Sequence, residues 1–458
     1  MRVRGERGWW QTRSVTLRDV RYARTGGIEL AYTVTGKGPT DVVLVPGLFG
    51  HLEYNEETPW YRDLVTRLPR LARLIVFDRR GVGLSGGTAL GPLEEQMDDI
   101  RTVMDAAGST SATVIGCGDA GPLTIVFAAT SPERVDRLIL WETAARTLAA
   151  DDYPIGIPLE NIEGGLELLR QHWGTGHWTN LFTAGVRDQV SAVQSFARWE
   201  RNIATPLDAA THMERYNYSD VREVLPLITA PTLVLNSRTD PIFPADRAAY
   251  MAERIPNAEL RLLEGCGNHV SMDPAWSDAI ADEIEQFLTG SAATTRAANR
   301  ILATVLFTDI AGSTERASAL GDASWKDLLT AHDRLALQVV GACGGRIVKS
   351  TGDGLLATFD GPGRGVDAAM TLVRDATALG LSVRAGLHTG EIVVNGDDVS
   401  GVAVHLASRI ESAAEPGTVL VSSTVVDLVV GSSHDFTPAG RRTFAGIARE
   451  WDVFIATR

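Results

Sequence analysis

Two aspartates stand where strand-like runs end. Asp309 closes "ILATVLFTD", and Asp353 sits in the turn of a predicted hairpin, "GRIVKSTGDGLLATF". Two strand-end carboxylates that a fold can bring together offer hard oxygen ligands to divalent cations and leave coordination positions open for phosphates. Taken alone, an aspartate in "TGDG" would be a turn residue. A second constellation is "GCGDAG", Gly116 to Gly121. A nucleophile elbow reads small-x-nucleophile-x-small between a strand and a helix, because the sharp turn tolerates no bulk on either side of the exposed side chain. With Gly116 and Ala120 as the small residues, the apex falls on Gly118, which has no side chain to attack with.

The elements that must position these residues fall into two groups. Upstream, the runs "DVVLVPG", "RLIVFDRRG", "ATVIG", "RLILWE", "PTLVLNS" and "ELRLLEG" alternate with longer helical patterns. They read as buried parallel strands of an α/β sheet. A Trp-bearing block without strand-like runs, about residues 146–220, reads as an inserted helical cap. Small and polar residues in "TGSAATTRAANR", 289–300, mark a linker. The expected organisation is therefore a domain over 1–288, the linker, and a second domain over 301–458.

Residues from roughly 15 to 290 resemble the α/β-hydrolase family, with the matching pieces in the family's order. "VPGLFGH" looks like the oxyanion loop, "FDRRGVGLS" like the following strand and turn, and "GCGDAG" like the elbow. The resemblance puts the acid of the triad at Asp240 in "NSRTDPIFP" and the histidine at His269 in "GCGNHVSMD". The serine, which carries the covalent chemistry of such a triad, is missing. Three rescues are conceivable. The frame could slide so that Asp119 is the nucleophile, Cys117 could attack, or Asp240 and His269 could activate water as a dyad. The plainer expectation is a domain without turnover that survives as a scaffold or ligand sensor. Its pocket would be enlarged at Gly118, with Asp240, His269 and the oxyanion-loop amides as polar anchors.

"FTDIAGST", "VKSTGDG" and "GVAVHLASRIES" together resemble the class III adenylyl/guanylyl cyclase catalytic domain, from about Leu302 nearly to the C-terminus. The resemblance implies a ferredoxin-like α+β fold with a βαββαβ core. It also implies Asp309 and Asp353, with Ile310 beside the first, as the holders of two Mg²⁺ or Mn²⁺ ions per active site. Base selection in adenylyl cyclases uses a lysine and an aspartate. Lys349 stands four residues before Asp353, and Asp398 eleven before Arg409, matching both positions. A lysine ammonium donates to adenine N1 and a carboxylate accepts from the N6 amine, whereas guanine presents a donor and a carbonyl there. Guanylate cyclase is the alternative. Arg409 matches the arginine that stabilises transition-state charge. One turn earlier, where the family usually has asparagine, stands His405. In this family Asp309 and Asp353 of one protomer would work with Lys349, Asp398, His405 and Arg409 of the other, so a homodimer is expected and ATP is the expected substrate.

Composition narrows the remaining classes. A formal net charge of -14 disfavours nucleic acid and anionic membrane surfaces as partners. No apolar run approaches the roughly 18 residues of a membrane span, and the N-terminal stretch lacks the apolar segment of a secretion signal. The three cysteines, Cys117, Cys266 and Cys343, have no metal-site or disulfide spacing and suit a reducing compartment. The expected location is cytoplasmic. There is no GxxxxGK[ST] loop.

Overall fold

The computed structural model of the chain describes residues 19–457 apart from 49, 88–90, 180–189, 265–273, 291–299, 351, 396–397, 445–446 and 448. Most of the expected linker, together with His269 and Cys266, lies outside the described residues. The first sheet comprises β1 (Arg21–Thr25), β2 (Ile28–Thr35), β3 (Asp41–Val45), β4 (Arg73–Phe77), β5 (Ala112–Cys117), β6 (Val135–Trp141), β7 (Thr232–Ser237) and β8 (Ala258–Leu263). Their order is β1-β2-β4-β3-β5-β6-β7-β8. From β4 to β8 every neighbouring pair is parallel, while β1 and β2 form an antiparallel edge.

Helices on both faces bury the central strands throughout. All six residues of β5 and all six of β7 are buried, as expected where a parallel sheet is covered twice. On one face α2 (Leu93–Ala106), α3 (Gly121–Thr130) and α7 (Ala245–Arg254) bury Met97, Ile100, Leu123, Phe127 and Met251. On the other, α1 (Pro59–Arg67) and α8 (Pro274–Thr289) interlock through Tyr61, Leu64, Trp276, Ile280 and Ile284. The last three of these recur every four residues and form one helical stripe. Between β6 and β7 lie the cap helices α4 (Leu159–His172), α5 (Val190–Ile203) and α6 (Pro206–Tyr218). Their Trp173, Phe196, Trp199 and Ile203 pack on Leu48 and Val82, so the cap sits over the loops that follow β3 and β4.

The second sheet comprises β9 (Arg300–Ile310), β10 (Arg346–Ser350), β11 (Leu355–Phe359), β12 (Val383–Asn395), β13 (Asp398–Ser400), β14 (Val419–Ser422), β15 (Asp435–Thr443) and β16 (Glu450–Thr457). Its helices are α9 (Ser313–Leu320), α10 (Asp322–Ala342), α11 (Pro362–Ala376), α12 (Val402–Ser412) and α13 (Ser423–Leu428). The order β10-β11-β9-β12 is antiparallel throughout and, read with its helices, gives the βαββαβ ferredoxin-like core. Beyond it β14, β16 and β15 extend the sheet. Among the described residues no helix is long and apolar enough to cross a membrane.

The two domains share a packed seam. Leu302 and Leu428 of the second domain join the apolar core of the first. Glu94, Asp98 and Arg101 lie on one face of α2, at i, i+4 and i+7. Glu94 is 3% exposed and accepts the Gly363 amide at 2.6 Å, while Arg364 pairs with Asp98 and Arg101 with Asp360 at 3.0 Å. The first amides of a helix have no partner within it. At α11 the capping residue is Gly361, which has no side chain, and a carboxylate of the other domain takes its place. A Cβ at Gly361 would collide with Glu94.

Candidate active sites

At the end of β5 the chain turns through Gly118 at φ +57° into a short 3₁₀ turn and then α3. That backbone region strains a residue with a Cβ and suits glycine. A Cβ at Gly116 would strike Thr124, and Ala120, the second flanking residue, is fully buried, so both flanking positions are small for the reason the elbow demands; Gly121, where a Cβ would strike Thr143, starts α3. Gly118 is therefore the apex. Asp119 stands one residue past it and turns away from the apex position.

The Asp119 carboxylate is buried and fully engaged. Oδ1 accepts the Leu48 amide at 2.7 Å, and Oδ2 accepts from Arg79 Nη1 at 2.9 Å and from His212 Nε2. Burial alone would raise its pKa, but His212, the Arg79 guanidinium and the Leu48 amide hold it well below the usual carboxylate range. Burial pushes the His212 imidazole down against the pull of Asp119; facing a carboxylate, which only accepts, Nε2 is the donor. Gly47 makes the contact possible, since a Cβ there would lie 2.4 Å from Asp119 Oδ1. Arg79 is held in turn by Gln96 of α2, whose amide donates to the Gly91 carbonyl at 2.8 Å.

This corrects one expectation. The Leu48 amide, in the oxyanion loop after β3, is not left as an anchor for a ligand; Asp119 has taken it. Cys117 is also removed as a nucleophile, because its thiol is buried against the Val45 carbonyl and burial pushes its pKa up to about 12. Asp240 follows β7 and is 4% exposed; Oδ1 accepts the amides of Ile242 at 2.7 Å and Phe243 at 3.1 Å. Burial raises its pKa to about 6. Its expected partner, His269, is outside the described residues.

In the second domain Asp309 stands near the end of β9, with the buried Ile310 after it, and Asp353 in the turn between β10 and β11. Leu355 pairs with Thr308 across β11 and β9, which puts both aspartates at the same end of neighbouring strands. Arg384, the cross-strand partner of Asp309 on β12, donates to its Oδ2 at 2.6 and 3.1 Å. The same guanidinium pairs with Glu411 at 2.8 Å. Asp309 thus already faces a cation. Lys349 on β10 donates to both oxygens of Asp398 on β13, at 2.8 and 2.9 Å. That contact lowers the Asp398 pKa. His405 and Arg409 are exposed one turn apart on α12, and Val402, on the same helix, is 68% exposed.

Sequence reasoning missed Arg79, His212, Gln96, Arg384 and Glu411. A basic residue inside the apolar run "LSVRAGLHTG" was a usable signal for Arg384. Nothing around His212 marks it, because only the folded cap brings it to the elbow.

An eight-stranded sheet in this order, with an elbow after β5 and a helical cap between β6 and β7, followed by a ferredoxin-like α+β domain, defines the class: a two-domain chain of hydrolase-type and cyclase-type folds. Residues 41–275 match the alpha/beta hydrolase fold family, more than half of the chain, and the chain belongs to that family. Residues 297–456 match the adenylate and guanylate cyclase catalytic domain. An uncharacterised protein of Mycobacterium tuberculosis is 39% identical over 125 residues, covering 27% of this chain and 33% of that one. A Rhizobium meliloti protein whose name assigns it to the adenylate cyclases is 32% identical over 160 residues, covering 33% of this chain and 27% of that one. The chain spans about a third of the length of the first curated relatives it matches. Among solved structures, an esterase from Exiguobacterium antarcticum shares the fold at TM-score 0.52 and 21% identity, covering 59% of this chain and 99% of that one.

Proposed function

We propose that the chain is an adenylate cyclase, converting ATP to 3′,5′-cyclic AMP and pyrophosphate at sites shared by two copies, with a hydrolase-type domain that binds rather than turns over. The observation that carries this reading is the Lys349–Asp398 pair, 2.8 and 2.9 Å. An ammonium has three donors, so Lys349 can hold Asp398 and still donate to adenine N1, while Asp398 accepts from N6. Guanine would set its N1–H against the ammonium and its O6 against the carboxylate.

Asp309, Asp353 and the backbone carbonyl of Ile310 are the residues that would hold Mg²⁺ or Mn²⁺. The donor set fits, being oxygen only, and the ion pair from Arg384 to Asp309 marks the place as one that favours positive charge. When bound, two such ions would neutralise triphosphate charge and lower the pKa of the ribose 3′-hydroxyl. The O3′–Pα bond forms as the bond from Pα to the pyrophosphate oxygen breaks, and the 3′-hydroxyl proton leaves to solvent. Arg409 donates to the oxygens on which charge accumulates, with His405 as a second donor one turn away. The exposed face of α12 that carries Val402, His405 and Arg409 supports a second copy as the partner.

The test is conversion of ATP and of GTP by the purified chain with Mg²⁺ and with Mn²⁺. Cyclic AMP as the dominant product is expected. No cyclic product from either nucleotide, or preference for GTP, would overturn the reading.

A further inference from the structure

A small cavity lies at the seam between the domains, beside the elbow. Arg79, Asp119, His212, Arg215 and Tyr216 line it from the first domain, and Val430 closes it from the second. Its volume is about 30 Å³, and a water needs roughly 10–15 Å³ on this measure. There is room for a molecule of a few heavy atoms.

The charges in this wall do not balance. Asp119 is matched by Arg79 at 2.9 Å. Arg215 donates to the Gly91 carbonyl at 3.2 Å and has no carboxylate within ion-pair distance among the described residues. Partial burial lowers the Arg215 pKa, although Glu95 and Glu214, which do not pair with it, pull the other way. Arg79 Nε is a buried donor with no acceptor, and His212 Nδ1 is buried with no hydrogen-bond partner. Unpartnered buried groups of this kind are costly and rarely left so. Of the groups that line the cavity, two are guanidinium and one is carboxylate, with Glu95 and Glu214 acting on Arg215 from outside the lining, and the orphan Arg79 Nε–H calls for an acceptor.

We propose that this cavity is a binding site for a small monocarboxylate of about the size of acetate, its oxygens toward Arg215 and Arg79 Nε and its apolar end toward Val430. The site deepens the reading of the first domain as a binding module and does not depend on the second acting on ATP. Gly431, at φ +83°, lies against Arg215, and a Cβ there would fall 2.8 Å from Arg215 Nε. The acid is enclosed only while the domains are docked, so its binding stabilises the docked arrangement.

The experiment uses the full chain without nucleotide, comparing sodium acetate with sodium chloride at equal ionic strength. Saturation-transfer NMR reports acetate binding, and thermal unfolding reports stabilisation. Acetate should raise the melting midpoint by about 2 °C at ten times its dissociation constant, and methylammonium chloride should not. Arg215→Gln and Val430→Trp, one from each domain, should each weaken acetate binding about tenfold or more. Octanoate, too long for the cavity, should bind no tighter than acetate. Equal effects of acetate and chloride, acetate binding that survives both variants, or octanoate binding about tenfold tighter would overturn the proposal. Cyclic AMP formation, assayed separately, leaves this outcome untouched.

Discussion

Asp119 Oδ1 accepts the Leu48 amide at 2.7 Å, so a donor that a hydrolase of this fold offers to a tetrahedral oxyanion is already bonded to a carboxylate of the same chain. Restoring the missing nucleophile is therefore not enough. Gly118→Ser is expected to leave hydrolysis of p-nitrophenyl acetate at the background rate, since losing one oxyanion donor costs about 10²- to 10³-fold. Acyl-enzyme accumulation in this single variant would contradict that expectation.

The seam contact of Glu94 predicts a defect in docking. Glu94→Ala removes the carboxylate that accepts the Gly363 amide at the start of α11. Loss of a cap costs about 1 kcal/mol, and the domains should separate more readily. Limited proteolysis should cut faster within 289–300, the expected linker, with the midpoint of the isolated transitions little changed. Unaltered cleavage would show that Glu94 does not hold the seam.

Arg384 joins Asp309 to Glu411 through one guanidinium, at 2.6 and 2.8 Å. Arg384→Ala should lower kcat/KM for ATP toward the upper end of about 10- to 100-fold, the scale of a residue that orients a metal-holding carboxylate. Glu411→Gln keeps the shape and loses the charge that orients Arg384, so the loss should be nearer 10-fold. Steady-state kinetics would check both, and a larger defect in Glu411→Gln than in Arg384→Ala would refute the order.

Asp78 predicts a pH dependence of stability. It is buried, accepts the amides of Leu52 and Leu84, and burial raises its pKa to about 7. An unfolded carboxyl titrates near 4, so between about pH 4 and 7 the folded state holds a proton that the unfolded state has released. Stability from this group is therefore lost as pH rises through that window. The buried His388, lowered to about 3 by burial, pulls the other way, so the useful quantity is a difference. Asp78→Asn should be less destabilised at pH 8 than at pH 5, relative to the parent chain, by on the order of 1–3 kcal/mol. Urea melts at the two pH values measure it, and a constant difference would reject the assignment.

Much of the fold was legible because buried parallel strands announce themselves. "DVVLVPG", "RLIVFDRRG", "ATVIG", "RLILWE", "PTLVLNS" and "ELRLLEG" became β3 to β8; all but the last are largely buried runs that two helical layers cover, whereas β8, at the edge of the sheet, is only partly buried, contrary to the expectation of a buried strand. The antiparallel edge β1–β2 and the extension β14-β16-β15 were not foreseen: half-exposed strands such as β15 carry no such run, and β14, though buried, is only four residues long. The elbow was legible in its glycines, whose need for positive φ and close packing is local. What Asp119 does was not, because its partners come from three separate places: Leu48 after β3, Arg79 after β4 and His212 in the cap. Lys349 and Asp398 were found through family spacing, and they do meet; Arg384 was missed because cross-strand register is invisible in sequence.

The measurement closest to the central claim is complementation between two inactive variants in a cyclic AMP assay. Asp309→Ala and Lys349→Ala should each be inactive alone. A mixed dimer keeps one site with Asp309, Asp353, Lys349 and Asp398 all intact. Random exchange of equal amounts should therefore restore about a quarter of the parent rate. A mixture that stays inactive after verified subunit exchange, or full activity of either variant alone, would contradict a cyclase that builds its sites between two copies.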